Sequence, residues 1–230
     1  MNSGLVVTID GPAGTGKSTV ARLLAQALGI HFLDTGAMYR AVALMSIEAG
    51  VRPDDASAVS GLLCGELPDF DFDHELPRVQ LGSRDVSARI RDDDVTAAVS
   101  PVSVHPAVRH RLVELQRAIA ARWGSLVTEG RDQGSVVFPD AAVRFYLDAP
   151  AETRAQRRVE QLRAEGRRAE FAQVLISICA RDRIDSTRAD GPLTRPVGAI
   201  VVQTAALTLE EVVARLLADV RARATTAGRQ

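Results

Sequence analysis

The sequence predicts an α/β fold: a five-stranded parallel sheet flanked by helices, with a small antiparallel β insertion and an arginine-rich helical region. Three observations carry that expectation. Short unbroken apolar runs, the mark of strands buried on both faces, alternate with stretches of helical periodicity. A glycine-rich turn joins the first run to the first helix. An acidic stretch broken by turn residues interrupts the alternation between Leu62 and Arg91.

Gly4 to Asp10 (GLVVTID) reads as the first strand, ended by Gly11 and Pro12. From Lys17 the apolar positions Val20, Leu23, Leu24, Ala27 and Leu28 recur at helical spacing, and Gly29 supplies the stop. His31 to Leu33 makes a short second strand, and Ala37 to Ala49 a helix closed by Gly50 and Pro53. Short strands follow at Phe70 to Phe72, Arg78 to Leu81 and Val86 to Ile90, with Gly82 and Ser83 turning the last two into a hairpin. Pro106 opens a helix whose face carries Val108, Leu112, Leu115 and Ile119 and which ends before Gly124. Leu126 to Thr128 and Val143 to Leu147 are the third and fourth core strands. Ala151 to Arg188 is helical with an interruption near Gly166, and Ala199 to Val202 is the fifth strand. Thr208 and Glu211 form a capping box, each side chain satisfying a free backbone N–H, at the head of a last helix reaching about Arg223; the tail from Thr225 is expected to fray.

The 230 residues are 46% apolar, enough for a substantial core. A formal net charge of −1 gives no overall reason to bind nucleic acid or an anionic membrane, so a small-molecule partner is expected. Cys64 and Cys179 lie far apart without metal-ligand spacing and read as small buried hydrophobes. The N-terminus lacks signal-peptide blocks and no apolar run would span a bilayer, which makes the cytoplasm the expected location. Among 28 basic side chains there is a single lysine, Lys17.

That lysine falls in Gly11-Pro12-Ala13-Gly14-Thr15-Gly16-Lys17-Ser18, a fit to G-x-x-x-x-G-K-[ST], followed by Thr19 and placed between a strand and a helix start. Glycines let successive backbone N–H groups curl round a phosphate, and the helix N-terminus adds favourable positive potential. Lys17 would bridge the β- and γ-phosphates of a nucleoside triphosphate, and Ser18 would hold Mg²⁺. The fold is therefore a P-loop core, with ATP and Mg²⁺ as the expected co-substrate and metal.

A P-loop alone does not choose between a switch, a pump and a kinase. Neither the Asn-Lys-x-Asp guanine-reading motif nor Asp-x-x-Gly after the third strand is present; Glu129-Gly-Arg-Asp132 stands there. Arginines instead gather where the loops of a parallel sheet converge: Arg40, Arg131, and the run Arg154, Arg157, Arg158. Transfer between two anions requires neutralising both and excluding water, which a mobile arginine-rich lid would accomplish. A solvated helix face paired with Glu152, Glu160 and Glu165 is the alternative for the run.

Five ordered blocks make the chain resemble the bacterial cytidylate kinases, of the nucleoside monophosphate kinase group: Ile9 to Thr19, Asp34-Thr-Gly-Ala-Met-Tyr-Arg40, Asp85 to Arg91, Gly130-Arg-Asp132 with Val136 to Asp140, and Arg181-Asp-Arg-Ile-Asp185-Ser-Thr-Arg188 before Pro192. The resemblance implies transfer of the γ-phosphoryl group of ATP to CMP or dCMP, with residues 1–61, 100–150 and 189–230 as core, 62–99 as a CMP-binding insertion and 151–188 as lid. It implies that Ser100, Arg109 and Asp132 read the cytosine edge. It assigns the CMP phosphate to Arg40, Arg131 and Arg181, places Asp185 and Arg188 near the ribose, and lines the same pocket with Thr35 and Tyr39. Arg154, Arg157 and Arg158 fall in the lid, and a monomer is the family's usual state.

Glu129 replaces the family's usual Asp, one methylene longer, at a place suited to ordering a magnesium-bound water. Gln133 replaces Ile or Met, Ser135 replaces Thr, and Gln203 stands where Asp is usual. No general base is needed, because the CMP phosphate is already an anionic nucleophile. His31, His74, His105 and His110 show no ligand spacing and read as structural or surface residues. Two rivals remain open: a kinase on the same core acting on UMP or a non-nucleotide acid, and a sensor that holds ATP without transfer.

Overall fold

The computed structural model describes residues 4–65, 68–71 and 78–227. Its main sheet has five parallel strands in the order β2-β6-β1-β7-β8: β1 Val6–Asp10, β2 His31–Asp34, β6 Leu126–Gly130, β7 Val143–Asp148 and β8 Ile200–Gln203. Alternate side chains of these strands point to opposite faces, so each face must be covered. Val7, Ile9, Val127, Phe145 and Val202 pack with α1 (Lys17–Leu28) and α8 (Leu209–Ala227). Leu33 and Leu126 pack with α2 (Thr35–Glu48), α4 (Asp93–Ser103) and α5 (Pro106–Trp123). The remaining helices are α3 (Ala56–Leu62), α6 (Ala151–Ala164) and α7 (Phe171–Thr187).

Local chemistry sets the ends of these elements. Gly29 closes α1 in the left-handed region at φ 66°, its N–H reaching back to the carbonyls of Ala25 and Gln26. Asp34 caps α2 by accepting from the N–H of Ala37 at 2.9 Å. The capping box forms, with Thr208 N–H donating to Glu211 Oε2 at 2.8 Å and Glu211 N–H to Thr208 Oγ1 at 3.2 Å.

The acidic stretch forms a second, antiparallel sheet of β3 (Asp69–Asp71), β4 (Arg78–Leu81) and β5 (Arg84–Asp85). The hairpin turns at Gly82 and Ser83 as expected, but Val86 to Ile90 is not a strand. β5 stops after two residues and the chain enters a 3₁₀ turn at Arg89–Arg91; Val86 and Ile90 are both buried, and the Ile90 N–H donates to the Val86 carbonyl at 2.9 Å, closing a turn where a strand would need a partner across the sheet. Phe72, the expected end of β3, lies outside the described residues. Two helices escape the sequence reading, α3 and α4, and residues 99 and 100 sit side by side within α4.

Both cysteines are exposed free thiols, contrary to the expectation of burial; Cys64 sits in the turn after α3 and Cys179 on the outer side of α7. His31 stacks on Trp123 with 4.5 Å between ring centroids, and His105 meets the Pro53 carbonyl at 2.8 Å, so both serve structure. His110 is exposed, and His74 lies outside the described residues.

Thr208→Ala removes one arm of the capping box. It should cost about 1 kcal/mol and lower the melting temperature by roughly 2–4 °C. Thermal unfolding followed by circular dichroism checks this.

Candidate active site

The carboxyl ends of β1, β2 and β6 open onto one cleft of about 970 Å³. The phosphate loop forms one wall. Gly14 and Gly16 hold φ values of 80° and 85°, open to glycine and strained for other residues. Lys17 is buried, and its Nζ donates to the Pro12 carbonyl at 2.7 Å, as does Thr15 Oγ1 at 3.1 Å. Thr19 also lines the cleft, whereas Gly11, Pro12 and Thr15 support the loop from behind.

Ser18 Oγ donates to Glu129 Oε1 at 2.8 Å, and Thr35 Oγ1 donates to the Glu129 carbonyl at 2.7 Å. Glu129 crowds Asp34, whose carboxyl burial pushes up from the usual range, with the Glu129 charge adding to the effect. Ser18, Glu129 and Asp34 are an all-oxygen set suited to a hard cation. Among the described residues no group of three or more His, Cys, Asp or Glu could cage a metal. The oxygen donors of Ser18, Glu129 and Asp34 fit Mg²⁺ by their chemistry.

The opposite wall is cationic. Arg40 Nη1 donates to the Ile90 carbonyl at 3.0 Å and to Thr96 Oγ1 at 2.8 Å. Arg131 Nε donates to Asp185 Oδ2 at 2.7 Å, and Arg188 Nη1 lies 3.7 Å from Asp185 Oδ1. Arg181 has a buried Nε with no hydrogen-bond partner among the described residues. Burial, reinforced by Arg131, pushes its pKa down to about 10.

Deeper in, Arg109 is 1% exposed and its Nη2 donates to Asp132 Oδ2. Its Nη1 reaches Tyr39 Oη at 3.4 Å, and Asp190 approaches its Nε at 3.4 Å. Asp132 and Ser100 line the cleft; Arg109 stands behind Asp132 and does not. The expected acceptor-side residues are thus brought together, Arg109 in a supporting position.

The three arginines expected in a mobile lid differ from one another. Arg154 is buried: Nε donates to the Ala149 carbonyl and Nη1 to the Ala13 carbonyl, both at 2.9 Å, and Nη1 pairs with Asp182 Oδ2 at 2.7 Å. Arg157 is tied to Thr204 after β8, its Nη2 donating to that residue's carbonyl at 2.5 Å. Arg158 lines the cleft with them and has no such anchor among the described residues; it stands beside Arg40, whose pKa burial pushes down, with Arg91 and Arg158 adding repulsion.

Two residues the sequence left without a role organise the centre. Asp10, at the end of β1, accepts from the N–H groups of Gln133 and Gly134 at 2.7 Å each, fixing the wide turn Gln133–Val137 that follows Arg131 and Asp132. Burial pushes its pKa up to about 7. Its place next to Gly11 was the available signal. The other is Asp182 on α7. Of the departures, Gln133 is buried and accepts from Thr128 Oγ1 at 2.9 Å while donating to Gln116 Oε1 at 3.2 Å, so its amide replaces apolar packing with a bonded bridge. Gln203 Nε2 donates to Asp148 Oδ2 at 3.1 Å.

Burial pushes the pKa of Lys17 from 10.5 down to about 7, with Arg131 and Arg181 adding repulsion against the pull of Glu129 and Asp185. A depressed lysine pKa means that the folded state holds the charge at a cost. That cost is complete below pH 7 and disappears as pH rises toward the unfolded value; it amounts to a few kcal/mol, at about 1.4 kcal/mol per unit. Lys17→Met should therefore raise the melting temperature by several degrees at pH 6, and the gain should fade between about pH 7 and 10. Melting curves across that range check the sign.

The family model described as cytidylate kinase matches residues 7–222. A cytidylate kinase of Mycolicibacterium paratuberculosis is 49% identical over 227 residues, covering 99% of this chain and 100% of that protein. One of Mycobacterium leprae is 48% identical over 219 residues, covering 95% and 96%. One of Pelotomaculum thermopropionicum is 48% identical over 223 residues, covering 96% and 98%. With matches of this extent from end to end, the chain belongs to the cytidylate kinase family.

Proposed function

We infer that this protein transfers the γ-phosphoryl group of ATP to CMP, and to dCMP, yielding ADP and CDP or dCDP. The observation that carries the reading is a single cleft in which the phosphate loop with Lys17 faces a pocket containing Arg40, Arg131, Arg181 and Asp132. A sensor of ATP would need no second anion pocket.

An oxygen of the CMP phosphate attacks the γ-phosphorus as the bond from that phosphorus to the β,γ-bridging oxygen breaks, and ADP leaves with the bond's electron pair. Lys17, Arg131 and Arg158 lie where they would stabilise the charge on the moving group, and Arg40 and Arg181 where they would hold the acceptor phosphate. Arg154 and Arg157, held to backbone carbonyls, would fix the cleft wall. Mg²⁺, when bound with ATP, would neutralise the β- and γ-phosphates; Ser18 would hold it directly and Glu129 through water.

Asp132 accepts from the exocyclic amine of cytosine, with Ser100 beside it and Arg109 holding the carboxylate. Uracil presents a carbonyl at that position, which would face an acceptor and be rejected. Asp185 and Arg188 lie where the ribose would sit, with Thr35 and Tyr39 lining the approach. We assign residues 62–99 to an acceptor-side insertion and 151–188 to a lid whose two helices, α6 and α7, are joined through Gly166. A monomer is the state the family resemblance implies, and two exposed free thiols suit a reducing cytoplasm.

ADP release from Mg·ATP, measured with CMP, dCMP, UMP, AMP or GMP as acceptor, should be fastest with the cytidine nucleotides. Turnover with UMP but not CMP would overturn the assignment, and tight ATP binding without turnover on any acceptor would make the protein a sensor. Asp132→Ala should lower kcat/KM for CMP by about 100-fold, as expected for losing a charged acceptor, with ATP affinity changed less than about threefold. Equal losses would make Asp132 structural.

A further inference from the structure

Helix α7 touches both halves of the cleft from one side of one turn. Asp185 engages Arg131 and Arg188 on the acceptor side. One turn earlier, Asp182 faces the phosphate loop: its Oδ1 accepts from the N–H of Ala13 at 3.3 Å and its Oδ2 pairs with Arg154 Nη1 at 2.7 Å. The same Arg154 Nη1 donates to the carbonyl of Ala13 at 2.9 Å. The N–H and C=O of a single loop residue are therefore bracketed by one carboxylate and one guanidinium, in a closed ring of three residues. The contact is close, since a Cβ on the neighbouring Gly14 would lie 3.2 Å from Arg154 Cβ.

We propose that Asp182 is a positioning residue for the donor site: it fixes Arg154 and the Ala13 peptide together, and so sets the spacing between the ATP phosphates and the acceptor arginines carried by α7. The proposal rests on the ATP:CMP reading for its kinetic arm only. Residues three apart on a helix are held in fixed relation, so Asp182 and Asp185 act as two ends of one rigid gauge. Removing the Asp182 charge would leave Arg154 buried against two carbonyls with no counter-charge, a geometry that invites it to turn away from the loop. Among the described residues Asp182 bonds only to Ala13 and Arg154 and acts on Arg131 through space alone, so its larger effect should fall on the nucleotide donor.

The test uses Asp182→Asn, which keeps the shape of the side chain, together with Arg154→Lys and the double variant. The readouts are equilibrium affinity for a methylanthraniloyl derivative of ATP and KM for ATP and CMP separately. Asp182→Asn should weaken the ATP derivative and raise KM for ATP about tenfold, the cost of one charge-assisted bond, while KM for CMP stays within about threefold. The double variant should be no worse than the poorer single one, because the residues act as a unit. Parallel rises in both KM values, additive losses, or tighter binding of the ATP derivative would overturn the proposal; tighter binding would instead make Asp182 a competitor of phosphate. Should the Asn variant melt more than 10 °C below the parent, the same measurements on Asp182→Glu decide, with partial retention of donor affinity expected. The affinity arm stands even if CMP proves to be the wrong acceptor, so the two readings fail separately.

Discussion

Like charges confined to one cleft are the constraint on which the rest of this structure depends. Lys17, Arg40, Arg131, Arg181 and Arg188 share it, and burial together with mutual repulsion pushes four of them below their ordinary pKa values. Arg131 is the exception, raised because Asp185 and Glu129 outweigh its burial. The carboxylates are placed to keep the cations in position without neutralising them, which leaves the site short of negative charge. Two phosphate-bearing substrates supply what is missing, so the same electrostatics that weaken the free fold favour the substrates and the charge that develops between them.

The fold meets this constraint by bringing the ends of parallel strands together. β1 delivers the phosphate loop and β6 delivers Arg131 and Asp132, while Asp10 ties the two by accepting from the turn that follows Asp132. Strand β2 ends at Asp34, which caps α2 and thereby sets the direction of Tyr39 and Arg40. Helix α7 closes the arrangement from the third side. The phosphate loop and the arginine-lined wall are thus fixed to one another through hydrogen bonds and one helix.

Features written by neighbouring residues were legible in the sequence. The phosphate loop, the Gly29 stop, the Thr208 capping box and the turn at Gly82 and Ser83 each depend on a few consecutive side chains. Helix α4 was not legible because Pro101 and the run Asp92 to Asp94 resemble loop composition. In the structure those aspartates sit at the helix N-terminus, where the dipole favours them, and Val95, Val99 and Val102 at helical spacing were the missed signal. Val86 to Ile90 misled through its alternation, because two apolar residues four apart also suit a turn. The exposure of Cys179 and the anchoring of Arg154 depend on which face of α6 and α7 meets the core, and that face is chosen by contacts distant in sequence.

The residues that the resemblance assigns to the acceptor lie in or beside one cleft, but the resemblance said nothing of how they hold one another. That Arg109 stands behind Asp132, and that Asp10 and Asp182 bind loops from beneath, required the tertiary structure. An arrangement in which two phosphate pockets open onto one cation-lined cleft is what transfer from ATP to CMP requires. Its most direct test is calorimetric binding of a molecule that joins adenosine and cytidine through five phosphates. Affinity at least about 100-fold above that of ATP alone is predicted, because one ligand then fills both pockets without a second loss of translational freedom. Affinity no greater than that of ATP would contradict the account.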